Sequence, residues 1–114
     1  MDARRAALAC TSLVEALEQP TITQLIKHTS LVEVVAEIVV VIEKGMEGFA
    51  PARKLSPGHI VDWAQKLARN WSHESLADLA LFLQNPGKYD RGEFYASVDV
   101  ERITKWWETF LLEK

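Results

Sequence analysis

The spacing of apolar positions predicts helices along almost the whole chain. Between Asp2 and Glu18, the residues Ala6, Cys10, Leu13, Val14 and Leu17 fall on one helical face, with Arg4, Thr11, Glu15 and Glu18 roughly opposite, and Pro20 ends the run. Beyond the proline, either Thr21 or Thr23 can cap a short helix that carries Ile22, Leu25 and Ile26 and runs through His28. Ser30 then stands three residues ahead of Glu33, the spacing at which two side chains satisfy each other's free backbone N–H groups in a capping box. The stretch Val34 to Ile42 is β-branched enough to suit a strand, and a buried strand over 38–42 is the main alternative. Periodicity favours a helix. At about 100° per residue, Glu33, Glu37, Lys44 and Glu47 form one narrow polar stripe, interrupted by Val40, and every other face is apolar. This helix, Leu31 to Lys44, is expected at the centre, stopped by Gly45 and Gly48.

The second half repeats the theme after a loop over Phe49 to Leu55 that holds Pro51, Arg53 and Lys54. Ser56-Pro57 is a strong helix start, an N-cap followed by a residue that needs no N–H partner in the first turn. The helix runs to about Asn70 and buries Ile60, Ala64, Leu67 and Trp71, with Trp63 nearby. Ser72 is expected to cap the next helix, which carries the apolar stripe Leu76, Leu79, Ala80 and Leu83 and ends at Asn85-Pro86-Gly87. Lys88 to Tyr95 has no regular period and reads as an ordered loop held by its rings. Asp99 is expected to cap a last helix that buries Val100, Ile103, Trp107 and Phe110, with Trp106 beside them and Glu101, Arg102, Lys105 and Glu108 outward. The pattern predicts an all-α compact bundle of five or six helices around a central apolar helix, with residues 1–114 as a single helical domain.

Composition narrows the function classes more than it selects one. With 48% hydrophobic and 25% charged residues in 114, the chain has enough apolar material for one core. A net charge of −3 gives no long-range pull toward nucleic acid or an anionic membrane. Cys10 is the only cysteine, so no intramolecular disulfide forms, and a reducing, cytoplasmic setting fits; no basic-then-apolar leader pattern is present at the start. The most apolar run, Leu31 to Ile42, is broken by two glutamates and is shorter than the roughly 20 residues a membrane crossing needs.

Candidate chemistry is sparse. His28, His59 and His73 have no paired spacing of the kind that holds a metal, and no phosphate-binding glycine loop, nucleophile elbow or cofactor motif occurs. Cys10 lies on an apolar stripe, where a thiol acts as a small hydrophobe, and Glu33 with Glu37 forms a solvated face rather than a paired acid and base. A non-enzymatic role with no metal and no cofactor is therefore expected. Trp71 and Trp107 read as core, whereas Trp63 and Trp106 are left between core and surface. The most informative segment is the 88–95 loop. Lys88 and Arg91 interleave there with Tyr89, Phe94 and Tyr95, a pattern that anchors a loop on the core, contacts a protein, or grips phosphates and stacks on bases.

The order Leu55-Ser56-Pro57, Trp71, Leu76-Ala77-Asp78-Leu79, Gly87-Lys88-Tyr89, Phe94-Tyr95, Asp99, Ile103 and Trp106 resembles a region of uncharacterised small helical proteins of prophages and mobile elements of gut-type bacteria. The resemblance spans roughly residues 55 to 110. Asp90 and Val100 stand where those proteins have glycine, so the local turns differ. It implies a genomic setting and a loop-and-helix unit, and no reaction.

Together these readings give the expectation of a noncatalytic protein-interaction module, in the replication or regulation of a mobile element. Its candidate binding residues are Lys88, Tyr89, Arg91, Tyr95 and Trp106 with the pair Arg53 and Lys54. The alternative is direct nucleic-acid binding through the 88–95 loop, and a third is a small-molecule or enzymatic pocket between helices. Self-association through the apolar surface around Val40 is also compatible with the pattern, and no membrane partner is expected.

Overall fold

A computed structural model describes residues 2–9, 16, 19–47, 55–84 and 100–113. Among the described residues six helices carry the fold: α1 (Asp2–Ala9), α2 (Ile22–His28), α3 (Leu31–Met46), α4 (Pro57–Asn70), α5 (Leu76–Leu83) and α6 (Val100–Glu113). The all-α reading holds, and residues 38–42 are helical, so the period of the polar stripe outweighed the β-branched composition. Helix α3 packs against α1, α2, α4 and α5, which gives it the central place expected of it. Helix α5 is the more enclosed of the two, with every residue except Leu81 buried. Helix α6 joins the bundle against α4.

Local chemistry sets most of the helix starts. The Ser30 hydroxyl accepts the Glu33 N–H at 3.2 Å, and the Ser56 hydroxyl accepts that of His59 at 3.2 Å. Glu33 returns no bond to Ser30, so only half of the expected capping box forms. Thr21, not Thr23, caps α2. Its hydroxyl accepts the Gln24 N–H at 3.2 Å while the Gln24 side chain accepts the Thr21 N–H at 2.9 Å. Thr23 is used elsewhere, its N–H and its hydroxyl both donating to the Ser72 carbonyl at 2.8 and 3.0 Å.

That contact corrects the start of α5. Ser72 does not cap it; Ser75 does, accepting the Asp78 N–H at 3.1 Å while Asp78 Oδ2 accepts from the Ser75 N–H and hydroxyl at 3.2 and 3.0 Å. The carbonyls of Ser72 and Glu74 are committed to the first turn of α2, where Ile22 N–H donates to Glu74 at 2.8 Å, and Thr21 and Ser75 form an isolated antiparallel bridge. Two helix starts therefore share one buttress, each supplying groups the other leaves unpaired. Ser75→Ala is expected to lower stability by about 1–2 kcal/mol. Ser72→Ala should stay within about 0.5 kcal/mol of the parent. Urea unfolding of both variants checks the pair, and equal losses would contradict the assignment.

Two further expectations are corrected. Gly45 does not stop α3, which continues to Met46; Gly45 lies inside the helix, where α5 comes close. Arg4 and Glu37, each expected on a solvent face, form an ion pair at 3.3 Å between α1 and α3. On α1 the fully buried residue is Ala7, and Ala6 is half-buried, so the buried face is rotated relative to the one expected; the remaining residues of that stripe, Cys10, Leu13, Val14 and Leu17, lie outside the described residues.

The core's largest side chains cluster between α4, α5 and α6. Phe82 meets the edge of Trp63 at a ring-centroid distance of 6.2 Å and that of Trp107 at 5.4 Å, and Phe110 at 5.6 Å; Trp107 stacks on Phe110 at 5.5 Å. These are the offset and edge-on geometries that aromatic quadrupoles favour. Trp71, expected in the core, is half-buried at the C-cap of α4, its N–H donating to the Leu67 carbonyl at 2.9 Å.

Candidate functional site

Of the residues nominated from the sequence, Lys88, Tyr89, Arg91, Tyr95, Arg53 and Lys54 lie outside the described residues, as does the expected cap Asp99. Trp106 is placed in the core at 8% exposure, and Trp63 is completely buried. The choice left between core and surface for these two rings falls to core. Trp106 at this depth offers a partner almost no surface, which corrects its nomination as a contact residue.

The described surface has a different feature. The first turn of α3 should have been covered on its apolar side, yet Leu31 is 51% exposed and Val32 80%. The chain explains why. Thr29 and Ser30 leave only two residues between α2 and α3, and α2 uses its own apolar residues, Ile22 and Leu25, for the core. Helix α4 approaches the uncovered side with its polar flank rather than its apolar one. Ile60, Trp63, Ala64, Leu67 and Ala68 point inward, while Val61, Gln65 and Arg69, spaced four apart, form the adjacent exposed stripe.

The result is a seam between α3 and α4. Leu31, Val32 and Val35 from α3 and Gln65 and Arg69 from α4 line a cavity of about 230 Å³, an aliphatic side facing a polar one. The first turn of α3 thus lies beside the last turns of α4. Among the described residues no carboxylate lies within ion-pair distance of Arg69, in contrast to Arg4, which meets Glu37, and Lys105, which meets Glu101 at 3.5 Å. Glu33, the acidic residue of the same first turn, is two positions past Leu31 and so about 200° around the helix from it. Arg69 therefore stands at the seam as a cation with no ion-pair partner among the described residues.

A second concavity of about 460 Å³ lies among Leu8, Val41, Lys44, Gly45, Glu47, Ala80, Leu83 and Gln84. Its two charged residues, Lys44 and Glu47, pair with each other at 3.5 Å, and this leaves no unmatched charge to orient a ligand. Among the described residues no group of His, Cys, Asp or Glu is placed to hold a metal, and no helix is long and apolar enough to cross a membrane.

The seam was missed in the sequence because Leu31, Val32 and Val35 look like core positions. The only available signal was on the partner helix, where Val61, Gln65 and Arg69 recur at four-residue spacing beside the buried stripe. No family model matches the chain, and neither the curated proteins nor the solved structures gave a match.

Proposed function

We propose that the chain is a noncatalytic interaction module that binds a protein through the α3–α4 seam. One observation carries the reading: Leu31 and Val32 expose aliphatic surface next to each other, at the mouth of a cavity lined by Val35 and bounded by Gln65 and Arg69. Exposed aliphatic surface bordered by polar side chains is the anatomy of a protein contact surface. The cavity's size supports the same reading. At about 230 Å³ it falls below the roughly 300–1,000 Å³ of sites that enclose a small molecule, and it suits one or two side chains carried in by a larger partner.

The test is an affinity capture from the native host, treated with nuclease and run at two salt concentrations, with the parent chain and Val32→Asp side by side. Val32 is 80% exposed, so its replacement should leave the circular dichroism spectrum and the unfolding midpoint unchanged. The expected outcome is a protein retained by the parent, after nuclease treatment, and lost by Val32→Asp. Identical proteins on both chains would show that the seam is not the contact. Retention that disappears with nuclease and high salt would instead favour nucleic-acid binding.

A further inference from the structure

Resting on the seam as a protein contact, we infer that its partner is an amphipathic helix that sets apolar side chains between α3 and α4 and a carboxylate on Arg69. The walls are two packed helices, α3 supplying Leu31, Val32 and Val35 and α4 supplying Gln65 and Arg69. A groove of this kind is filled by anchors at i, i+3 or i+4 of a docked helix, which bring two apolar side chains to one side without exposing backbone polar groups.

Charge selects the partner's polar residue. Arg69 lines the cavity with no carboxylate of the described chain in ion-pair reach, and its guanidinium offers a planar fork of donors that matches a carboxylate with two parallel bonds. Gln65, one turn earlier on α4, supplies an amide that can donate beside it. A lysine or arginine brought beside Arg69 meets like charge. An aspartate or glutamate one helical turn from the apolar anchors meets complementary charge. The chain as a whole carries −3, so this acceptance of an acidic segment is a local property set against the sign of the molecule.

The experiment is a selection of displayed, randomised helical peptides on the whole chain, counter-selected on the Val32→Asp chain. One enriched peptide is then synthesised and titrated against the parent, Arg69→Gln and Arg69→Glu chains. The expected winners carry an apolar pair with Asp or Glu one turn away. Arg69→Gln weakens the synthetic peptide about tenfold and Arg69→Glu more, and changing the peptide's acidic residue to lysine restores binding to the Arg69→Glu chain. Both Arg69 variants alter an exposed side chain, and an unchanged unfolding midpoint confirms that each is folded. Winners that depend on Val32 but show no acidic preference and are indifferent to Arg69 would overturn this inference while leaving the seam as a protein contact. Failure to enrich any Val32-dependent peptide would overturn both.

Discussion

Phe82→Ala is expected to destabilise the chain by about 3–5 kcal/mol, the largest effect of any single substitution considered for this fold. Phe82 is the one ring of the aromatic cluster that touches all three others, Trp63 from α4 and Trp107 and Phe110 from α6, at centroid distances of 5.4 to 6.2 Å. Its removal leaves a void between large flat side chains that cannot close over it, because Trp63 and Trp107 are each almost wholly buried and fixed by their own helices. Among the described residues the indole N–H groups of Trp63 and Trp107 have no hydrogen-bond partner, so the cluster already carries that cost before the ring is removed. Phe82→Leu keeps most of the volume and should cost roughly half as much. Urea unfolding followed by tryptophan fluorescence measures both, and a loss below about 1 kcal/mol for Phe82→Ala would mean that α6 is not held by this cluster.

Gly45→Ala should be the second most damaging change, although propensity alone argues for a gain of about 1 kcal/mol when alanine replaces glycine within a helix. A Cβ at position 45 would lie 2.5 Å from both Cβ and Cδ1 of Leu83 and 3.0 Å from its Cγ. Rotating the Leu83 side chain does not relieve the first of these contacts, since the Leu83 Cβ is fixed to the backbone of α5. The two helices must separate, and the packing of α3 against α5 loosens with them. A net destabilisation of about 1–3 kcal/mol follows. Gly58→Ala is the control, a glycine in the first turn of α4 with nothing within 4 Å of the added carbon. It should be neutral or slightly stabilising. A Gly45→Ala chain as stable as Gly58→Ala would contradict the close approach of α3 and α5.

These two positions also show where sequence reasoning reaches its limit. A serine at the N-cap acts on backbone groups three residues away, so Ser30 and Ser56 announced their helices without knowledge of the rest of the fold. Helical spacing likewise placed Ile60, Leu67, Ile103, Trp107 and Phe110 inside. Gly45 was read as a stop because local rules know only its propensity, and the reason it sits inside α3 lies in Leu83, far along the chain. Ser72 fails as a cap for the same reason: its carbonyl is taken by Thr23, about fifty residues earlier, and Ser75 caps the helix instead. The polar face of α3 was correct as a stripe and wrong as a solvated one at Glu37, since it was Arg4 of another helix that drew it in.

The candidate site was the least legible part. An exposed valine and a core valine have the same local pattern, and which side of α3 remains uncovered is decided by the direction in which α2 enters and by the flank that α4 presents. The sequence drew attention instead to rings and cations in the 88–95 loop and to Trp106, of which Trp106 turned inward. Composition alone could not separate an anchor from a contact.

Amide hydrogen exchange of the whole chain, free and bound to a protein captured from nuclease-treated host extract, tests the central claim most directly. Binding at the seam predicts slowed exchange in the first turns of α3, around Leu31 to Val35, and along α4 from Val61 to Arg69, with α5 unchanged. Slowing confined to the 88–95 loop, with α3 and α4 exchanging as in the free chain, would contradict it.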